Sequence, residues 1–256
     1  MFNCSYTRNG LKILEVYYTS DINKIYIDHK NRKYDILKCY QVNEKIPNLQ
    51  EFHTLQIDLE RSIDEIYSNF AKNTRNEINR NMKNDDIEYV INSKVSKENI
   101  ELFITMFKDF DRMKNLNTNI SELENTLIRN IDNLTFFQGL KDSNILVFNI
   151  YYHDNIRARL KCSISIRSDN NQERNLIGRT NRALCFKAIS HFKENGYKIF
   201  DLGGISLSEK DKDKKNIDSF KSKFGGVLVT EYEGNSPLSL KGKLFMLLYK
   251  IKNKIR

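Results

Sequence analysis

The stretch Ile199-Phe200-Asp201-Leu202-Gly203-Gly204 constrains this chain more than any other. An apolar run ends in an acid and passes straight into two glycines. A polar loop over residues 208–215 follows, then Ile217-Asp218-Ser219-Phe220-Lys221-Ser222-Lys223-Phe224 and a second pair, Gly225-Gly226. Paired glycines let a backbone turn sharply and come close to a ligand or to another strand. An aspartate at the carboxyl end of a strand sits where open α/β sheets place functional groups. The segment therefore predicts a strand, a tight turn, a solvated loop with near-balanced charge, and a returning strand over VLVTEYEG.

Periodicity supplies the rest of the frame. LKILEVYYT, KIYIDH and YDILKCYQV read as strands, making residues 1–60 a strand-rich N-terminal portion. Ser62 and Glu65 are spaced as a capping box, and Ile63, Ile66, Tyr67 and Phe70 give the helix they start an apolar face; its second half, KNTRNEINRNMK, is polar and basic. Ser96 caps a helix with Ile100, Phe103, Phe107 and Phe110 on one side, and Ser121 with Glu124 forms another box. The period then drops to two: LTFFQGL, NILVFNIYYH and IRARLKCSISIR are consecutive strands. NLIGRT reads as a short strand into a turn. Residues 182–195 form a helix with Cys185, Ala188, Ile189 and Phe192 as its stripe and Gly196 just past its end. The order fits an α/β fold: a mixed sheet flanked by helices over residues 61–237.

Composition narrows the class. Hydrophobic residues at 39% and charged residues at 29% are those of a soluble globular chain. No apolar run is long enough to span a bilayer, and the N-terminus carries no apolar signal region, so a cytoplasmic location is expected. Cys4, Cys39, Cys162 and Cys185 are widely spaced and read as reduced thiols. His29, His53, His153 and His191 are isolated and form no metal spacing or triad, so no metal is expected. The net charge of +9 is uneven: residues 238–256 hold six basic residues and no acid, which leaves +3 for the other 237. The basic character belongs to the tail and argues against nucleic-acid binding by the whole chain.

Three segments together resemble the Fem-type aminoacyltransferases, a branch of the GNAT-like acyltransferase superfamily. The first is DLGG with FKSKFGG. The second is the basic helix over residues 68–82, where Arg75, Ile78 and Arg80 are similar to the family's R-x-x-I-x-K/R pattern. The third is Gly178-Arg179-Thr180-Asn181-Arg182 ahead of the central helix, where GNAT-like enzymes hold a phosphate or acyl carrier. A helix N-terminus there would offer free N–H groups to an anion, with Arg179 and Arg182 adding charge. The resemblance implies a GNAT-like fold, with the first 60 residues as a reduced half-domain. It also implies acyl or aminoacyl transfer to an amine of a cell-envelope glycan precursor, a nucleotide- or lipid-linked amino sugar. The chain is short, lacks two complete GNAT-like halves, lacks an obvious helical-hairpin insertion and lacks the Q/R-x-x-G-x-G/A loop. The donor substrate is thus either acyl-CoA or aminoacyl-tRNA, with no bound cofactor. An acyl-CoA-dependent N-acyltransferase of a surface-polysaccharide amino sugar is the alternative enzyme, and a membrane- or tRNA-binding module is the alternative without chemistry.

Each candidate has two readings. Lys221, between Phe220 and Phe224, stabilises an oxyanion or lies along apolar neighbours as a surface lysine. Asp201 orients the acceptor amine or caps the turn after its strand. Gly203, Gly204 and Gly225, with Phe224, line the substrate or serve the turns. Arg75 binds ligand or belongs to a solvated basic face; Arg159, alternating with Arg157 on a strand, lines the acceptor cleft or the wet side of a sheet. Arg179, Asn181 and Arg182 complete the substrate-binding set.

The tail over 238–256 reads as a basic amphipathic helix. Leu240, Leu244, Leu247, Leu248, Ile251 and Ile255 fall in one stripe, with lysines on both sides. Such a helix suits an anionic membrane surface, at the inner face of the membrane, or else docks on the core.

Overall fold

The computed structural model describes residues 1–207 and 211–254. The chain forms two compact units. One, the split unit, combines Met1–Thr54 with Leu228–Arg256; the other, the central unit, is Leu55–Val227. The N-terminal division expected after residue 60 thus falls after Thr54, and the segment after Val227 belongs with the N-terminal residues.

The central unit holds the second half of strand β4 (Gln50–Asp58), strands β5 (Glu88–Asn92), β6 (Leu134–Lys141), β7 (Asn144–His153), β8 (Arg157–Ser165) and β9 (Ile199–Gly204), in the order β4-β9-β8-β7-β6-β5. Strands β5 to β8 are antiparallel neighbours, and β8 and β9 are parallel. The parallel pair requires a crossover, which helix α6 (Asn171–Glu194) supplies. Strand β6 is buried almost throughout because both its faces are covered. Phe136 of β6 and Phe148 of β7 meet Phe103 of helix α4 (Lys97–Lys114), whereas Phe137 and Tyr151 meet Phe192 of α6. Alternating side chains thus bind a helix to each face.

Helices α2 (Ile63–Ser68) and α3 (Lys72–Asn84) replace the single helix expected after Ser62. The Ser62–Glu65 capping box forms, with Ser62 N–H donating to Glu65 Oε2 at 2.9 Å and Glu65 N–H to Ser62 Oγ at 3.2 Å. The Ser96 cap also forms, with Asn99 as its reciprocal partner. Helix α5 (Ile120–Arg129) starts one cap earlier than expected: Asn119 accepts from Glu122 N–H at 3.0 Å, and Ser121 lies inside the helix.

Two further expectations are corrected. Residues 175–180 are not a strand. Asn170 accepts from Gln172 and Glu173 N–H and starts α6 eleven residues ahead of Arg182. Ile177, Thr180, Leu184 and Ala188 are buried at helical spacing, so tertiary packing carries the helix through Gly178. The loop expected over 208–215 is helical from Lys212, where helix α7 (Lys212–Ser222) begins; residues 208–210 lie outside the described residues.

In the split unit the strands β1 (Phe2–Arg8), β2 (Leu11–Tyr17), β3 (Ile36–Val42) and β10 (Val227–Pro237) run in the order β1-β2-β3-β10. β1 and β2 form a hairpin, β2 and β3 are parallel from Ile13↔Ile36 to Tyr17↔Tyr40, and β10 is antiparallel to β3. The crossover between β2 and β3 is helix α1 (Ile22–His29), which corrects the strand expected at KIYIDH. Counted from Ile22, which is buried, Ile25 and Tyr26 follow at the helical interval and pack on the same cluster, while Ile27 is exposed. Helix α8 (Leu240–Lys254) closes the unit.

Candidate active site

The parallel pairing of β8 with β9 covers three residues, Arg157↔Ile199, Ala158↔Phe200 and Arg159↔Asp201, although both strands continue. Beyond Asp201 the glycine pair changes the geometry. Gly203 has φ +77°, a conformation a side chain disfavours, and a Cβ there would lie 2.7 Å from the Leu160 carbonyl oxygen and 3.5 Å from Lys221 Nζ. The glycine is what lets β9, β8 and a lysine side chain meet at one point.

Lys221 arrives at that point from the last turn of α7, where the helix dipole favours a cation. Its Nζ donates to the Gly204 carbonyl at 2.6 Å. Burial, and then the charge of Arg159, pull its pKa down to about 8; Asp201, Asp218 and Cys185 offset this in part. The ammonium thus persists at neutral pH in a place that does not balance it fully. Asp218, one helical turn before Lys221 on α7, accepts from Ser206 N–H and Oγ, tying the strand's exit to the helix.

Asp201 is fully buried. Its Oδ1 accepts from Gly203 N–H at 2.7 Å, and its Oδ2 faces Arg157 at 3.8 Å. This is the turn-capping arrangement, with a guanidinium added. Arg159, opposite Asp201 in register, is also buried and acts on Lys221 through its charge.

The remaining candidates divide into those beside Lys221 and those in the frame. Phe224 is a core residue, edge-on to Phe70 at 5.1 Å and to Phe220 at 5.4 Å. Gly225 sits against the Asn69 backbone. Arg75 donates to the Ser68 carbonyl, and its own carbonyl accepts from Tyr67 Oη at 3.0 Å, so it closes the α2–α3 junction. Gly178, Arg179, Asn181 and Arg182 are in mid-helix, so the free N–H groups expected there are absent; α6 begins at Asn171. Arg179 makes a bidentate pair with Asp85 at 2.7 and 2.9 Å. Burial opposes the Asp85 charge, but hydrogen bonds from Arg179 and Asn81 outweigh it and hold the carboxyl below the usual range. Arg182 pairs with Glu77 at 3.0 Å, donates to the Gly178 carbonyl at 2.8 Å, and lies 5.6 Å over the Phe220 ring. Asn181 reaches Ser163 of β8 at 3.5 Å.

Arg157, Cys185, Asp218, Glu77 and Asp85 complete the setting; the sequence put Arg157 on the same strand face as Arg159 and Cys185 on a helix stripe, and gave Asp218, Glu77 and Asp85 no role. Asp218 was findable, since it precedes Lys221 by three residues in what proves to be a helix. Cys185 is not a nucleophile here, because burial pushes its thiol up to about 12. A recess of about 520 Å³ lined by Met106, Lys141, Ile166, Glu173 and Leu176 does not include Lys221. Among the described residues no group of three or more His, Cys, Asp or Glu side chains is placed to hold a metal, and no helix is long and apolar enough to cross a membrane.

No protein-family model matches the chain, and no curated sequence does. Solved structures do. FemX aligns over 96% of this chain and 85% of its own, with a TM-score of 0.67 and 12% identity. The C-terminal domain of a putative lysylphosphatidylglycerol synthetase from Agrobacterium fabrum aligns over 96% and 83%, at 0.54 and 12%. L-PGS from Bacillus licheniformis aligns over 97% and 88%, at 0.51 and 13%. At these identities the similarity establishes the fold alone: a mixed α/β fold like that of FemX.

Proposed function

We propose that the chain transfers an acyl or aminoacyl group to an amine of a cell-envelope glycan precursor. The observation that carries the reading is the Lys221 ammonium, held on the Gly204 carbonyl where β8 and β9 stop pairing. One N–H of the ammonium is fixed by Gly204, which leaves the group as an aimed cation with further donors. An acyl carbonyl set beside it would be polarised, and the oxyanion formed on attack would gain a charge-assisted hydrogen bond in a poorly solvated place. In the step itself the amine nitrogen bonds to the acyl carbon and loses one proton. The bond from that carbon to the donor's sulfur or oxygen breaks, and the leaving thiol or hydroxyl gains one proton.

Asp201 acts as a positioning residue. Full burial keeps its carboxylate from the amine, while its bond to Gly203 N–H sets the turn that presents the Gly204 carbonyl. Arg157 and Arg159 border the same point. The fold shared with FemX and with a protein named for lysylphosphatidylglycerol synthesis supports aminoacyl transfer and an envelope precursor as acceptor.

The donor is the open variable, acyl-CoA or aminoacyl-tRNA. Thermal unfolding with each, and with a nucleotide-linked amino sugar, tests the reading, since a ligand bound only by the native state at about a hundred times its Kd adds about 2.7 kcal/mol. One donor class should raise Tm and support transfer to the sugar amine. Absence of protection and of transfer with both donors overturns the proposal.

A further inference from the structure

The first two turns of helix α8 present opposite faces to two different environments, whereas Tyr249, beyond Met246 on the docked side, is 59% exposed. The inner face of these turns is fixed by Gly242 and Met246. Gly242 lies so close to the Asp35 carbonyl that a Cβ would overlap it, and Met246 packs on Leu11, Ile13 and Ile36. Asp35 also accepts from Ser239 Oγ at 2.7 Å and from Lys12 N–H at 2.9 Å, while Lys241 donates to the Gly10 carbonyl at 2.5 Å. The helix is therefore seated in one orientation by backbone contact.

That orientation decides where the leucines go. Leu240 is 79% exposed, Leu244 59%, and Leu247 and Leu248 56% each, with Ile251 also exposed. At 100° per residue these five cluster about half a turn from Gly242 and Met246. The stripe is thus aimed away from the unit by the docking of the other face. It is the largest run of exposed aliphatic side chains on any helix among the described residues. Lys241 stands on one border of the stripe and Lys243 on the other; the whole segment 238–256 has six basic residues and no acid.

We infer that α8 is an interfacial helix that docks the protein on an anionic lipid surface. The leucines enter the acyl boundary, and the basic residues of the segment other than the anchored Lys241, Lys243 among them, meet lipid phosphates. Charge selects this occupant over a second copy of the chain. Pairing two α8 helices through their leucines would bring two wholly basic segments together, whereas an anionic bilayer complements them. The inference stands on the helix geometry and is independent of the transferase reading.

The test uses the full chain and its variant L244Q/L247Q/L248Q. All three positions are exposed, so folding should be unchanged, which circular dichroism and Tm check. Sedimentation with vesicles of phosphatidylglycerol and phosphatidylcholine is compared with sedimentation with phosphatidylcholine alone. The full chain should bind the anionic vesicles, release partly at high salt, and bind neutral vesicles weakly. The variant should bind anionic vesicles at least about tenfold more weakly. Equal binding by the folded variant, or no preference for anionic lipid, overturns the inference. So does a salt-stable dimer of the full chain that the variant abolishes while vesicle binding is absent.

Discussion

The two units contain the same motif, a hairpin strand followed by a parallel partner across a helix, and finish it in opposite ways. In the split unit β2 and β3 stay paired over five residues, from Ile13↔Ile36 to Tyr17↔Tyr40. In the central unit the registered pairing of β8 with β9 stops after three. A half-buried lysine meets each motif, Lys38 on β3 and Lys221 from α7, and their electrostatics diverge. Lys38 donates to the buried Glu15 at 2.8 Å, and Glu15 also accepts from Tyr6, Tyr17 and Cys4. Burial works against the Lys38 charge, but Tyr40 and Glu15 outweigh it and raise its pKa above the ordinary value. Lys221 donates to a carbonyl, and burial and then Arg159 pull its pKa down to about 8 although Asp201 and Asp218 oppose them. One lysine is paired with a buried carboxylate; the other is held on a carbonyl where the registered pairing of β8 and β9 ends. A matched charge is costly to strand by removing its partner, whereas an undermatched one marks a candidate for a ligand contact.

The contrast breaks most visibly in rate. Lys221→Ala should lower transfer by about a hundred- to a thousand-fold with the fold intact. On the proposed reading the step uses the ammonium, so the wild-type rate should fall as pH rises through about 8, and that alkaline limb should vanish from the residual activity of the variant. Steady-state rates from pH 6 to 10 on both proteins check this, and near wild-type turnover in the variant would place the chemistry elsewhere.

Glu15→Gln should act on the other lysine and leave the rate constants of the remaining folded enzyme alone. It strands the Lys38 ammonium against a neutral amide. Lys38 retains 25% side-chain exposure, so the expected loss is about 2 kcal/mol rather than the larger penalty of a fully buried orphan charge. Urea unfolding measures it; an unchanged midpoint would mean that water already satisfies Lys38.

The smallest effect has the opposite sign. The native pKa of Lys221, about 8, lies below its ordinary 10.5, so the folded state gives up this proton before the unfolded state does. Stability therefore rises with pH between those values, and below about pH 8 the buried charge costs free energy. Lys221→Met removes that cost and also the bond to Gly204, so a net gain of about 1 kcal/mol at pH 7 is expected, shrinking toward pH 10. A loss of stability at both pH values would show that the lysine is matched after all, like Lys38.

What the sequence could disclose was mostly local. The Ser62 box, the Ser96 cap and the alternation from Leu134 to Ser165 are legible because each signal lies within a few residues. The same holds for the DLGG strand and its turn. Local signals also competed: Ser121 with Asn119, and Gly178 with the buried spacing of Ile177 and Thr180. Strand β1 was overlooked although Phe2, Cys4 and Tyr6 alternate with exposed residues. The burial of Asp201 and the Arg179–Asp85 pair were not legible, because partners 94 residues apart leave no spacing to read. Nor was the return of β10 to β3, which is fixed by register contacts from Pro237↔Ile36 to Tyr232↔Val42.

Gly203 has one more consequence. Its neighbours include the Leu160 carbonyl, a backbone atom that no rotamer change can move away. In a saturation scan, position 203 should therefore behave as a single-letter column: alanine, the smallest replacement, should fare nearly as badly as leucine or glutamate, and hydropathy or charge should not rank the substitutions. Position 221 should show a graded column, in which arginine retains more function than methionine because it keeps the charge. The shape of the two columns, rather than the depth of either, separates a residue required for the space it leaves empty from one required for what it carries.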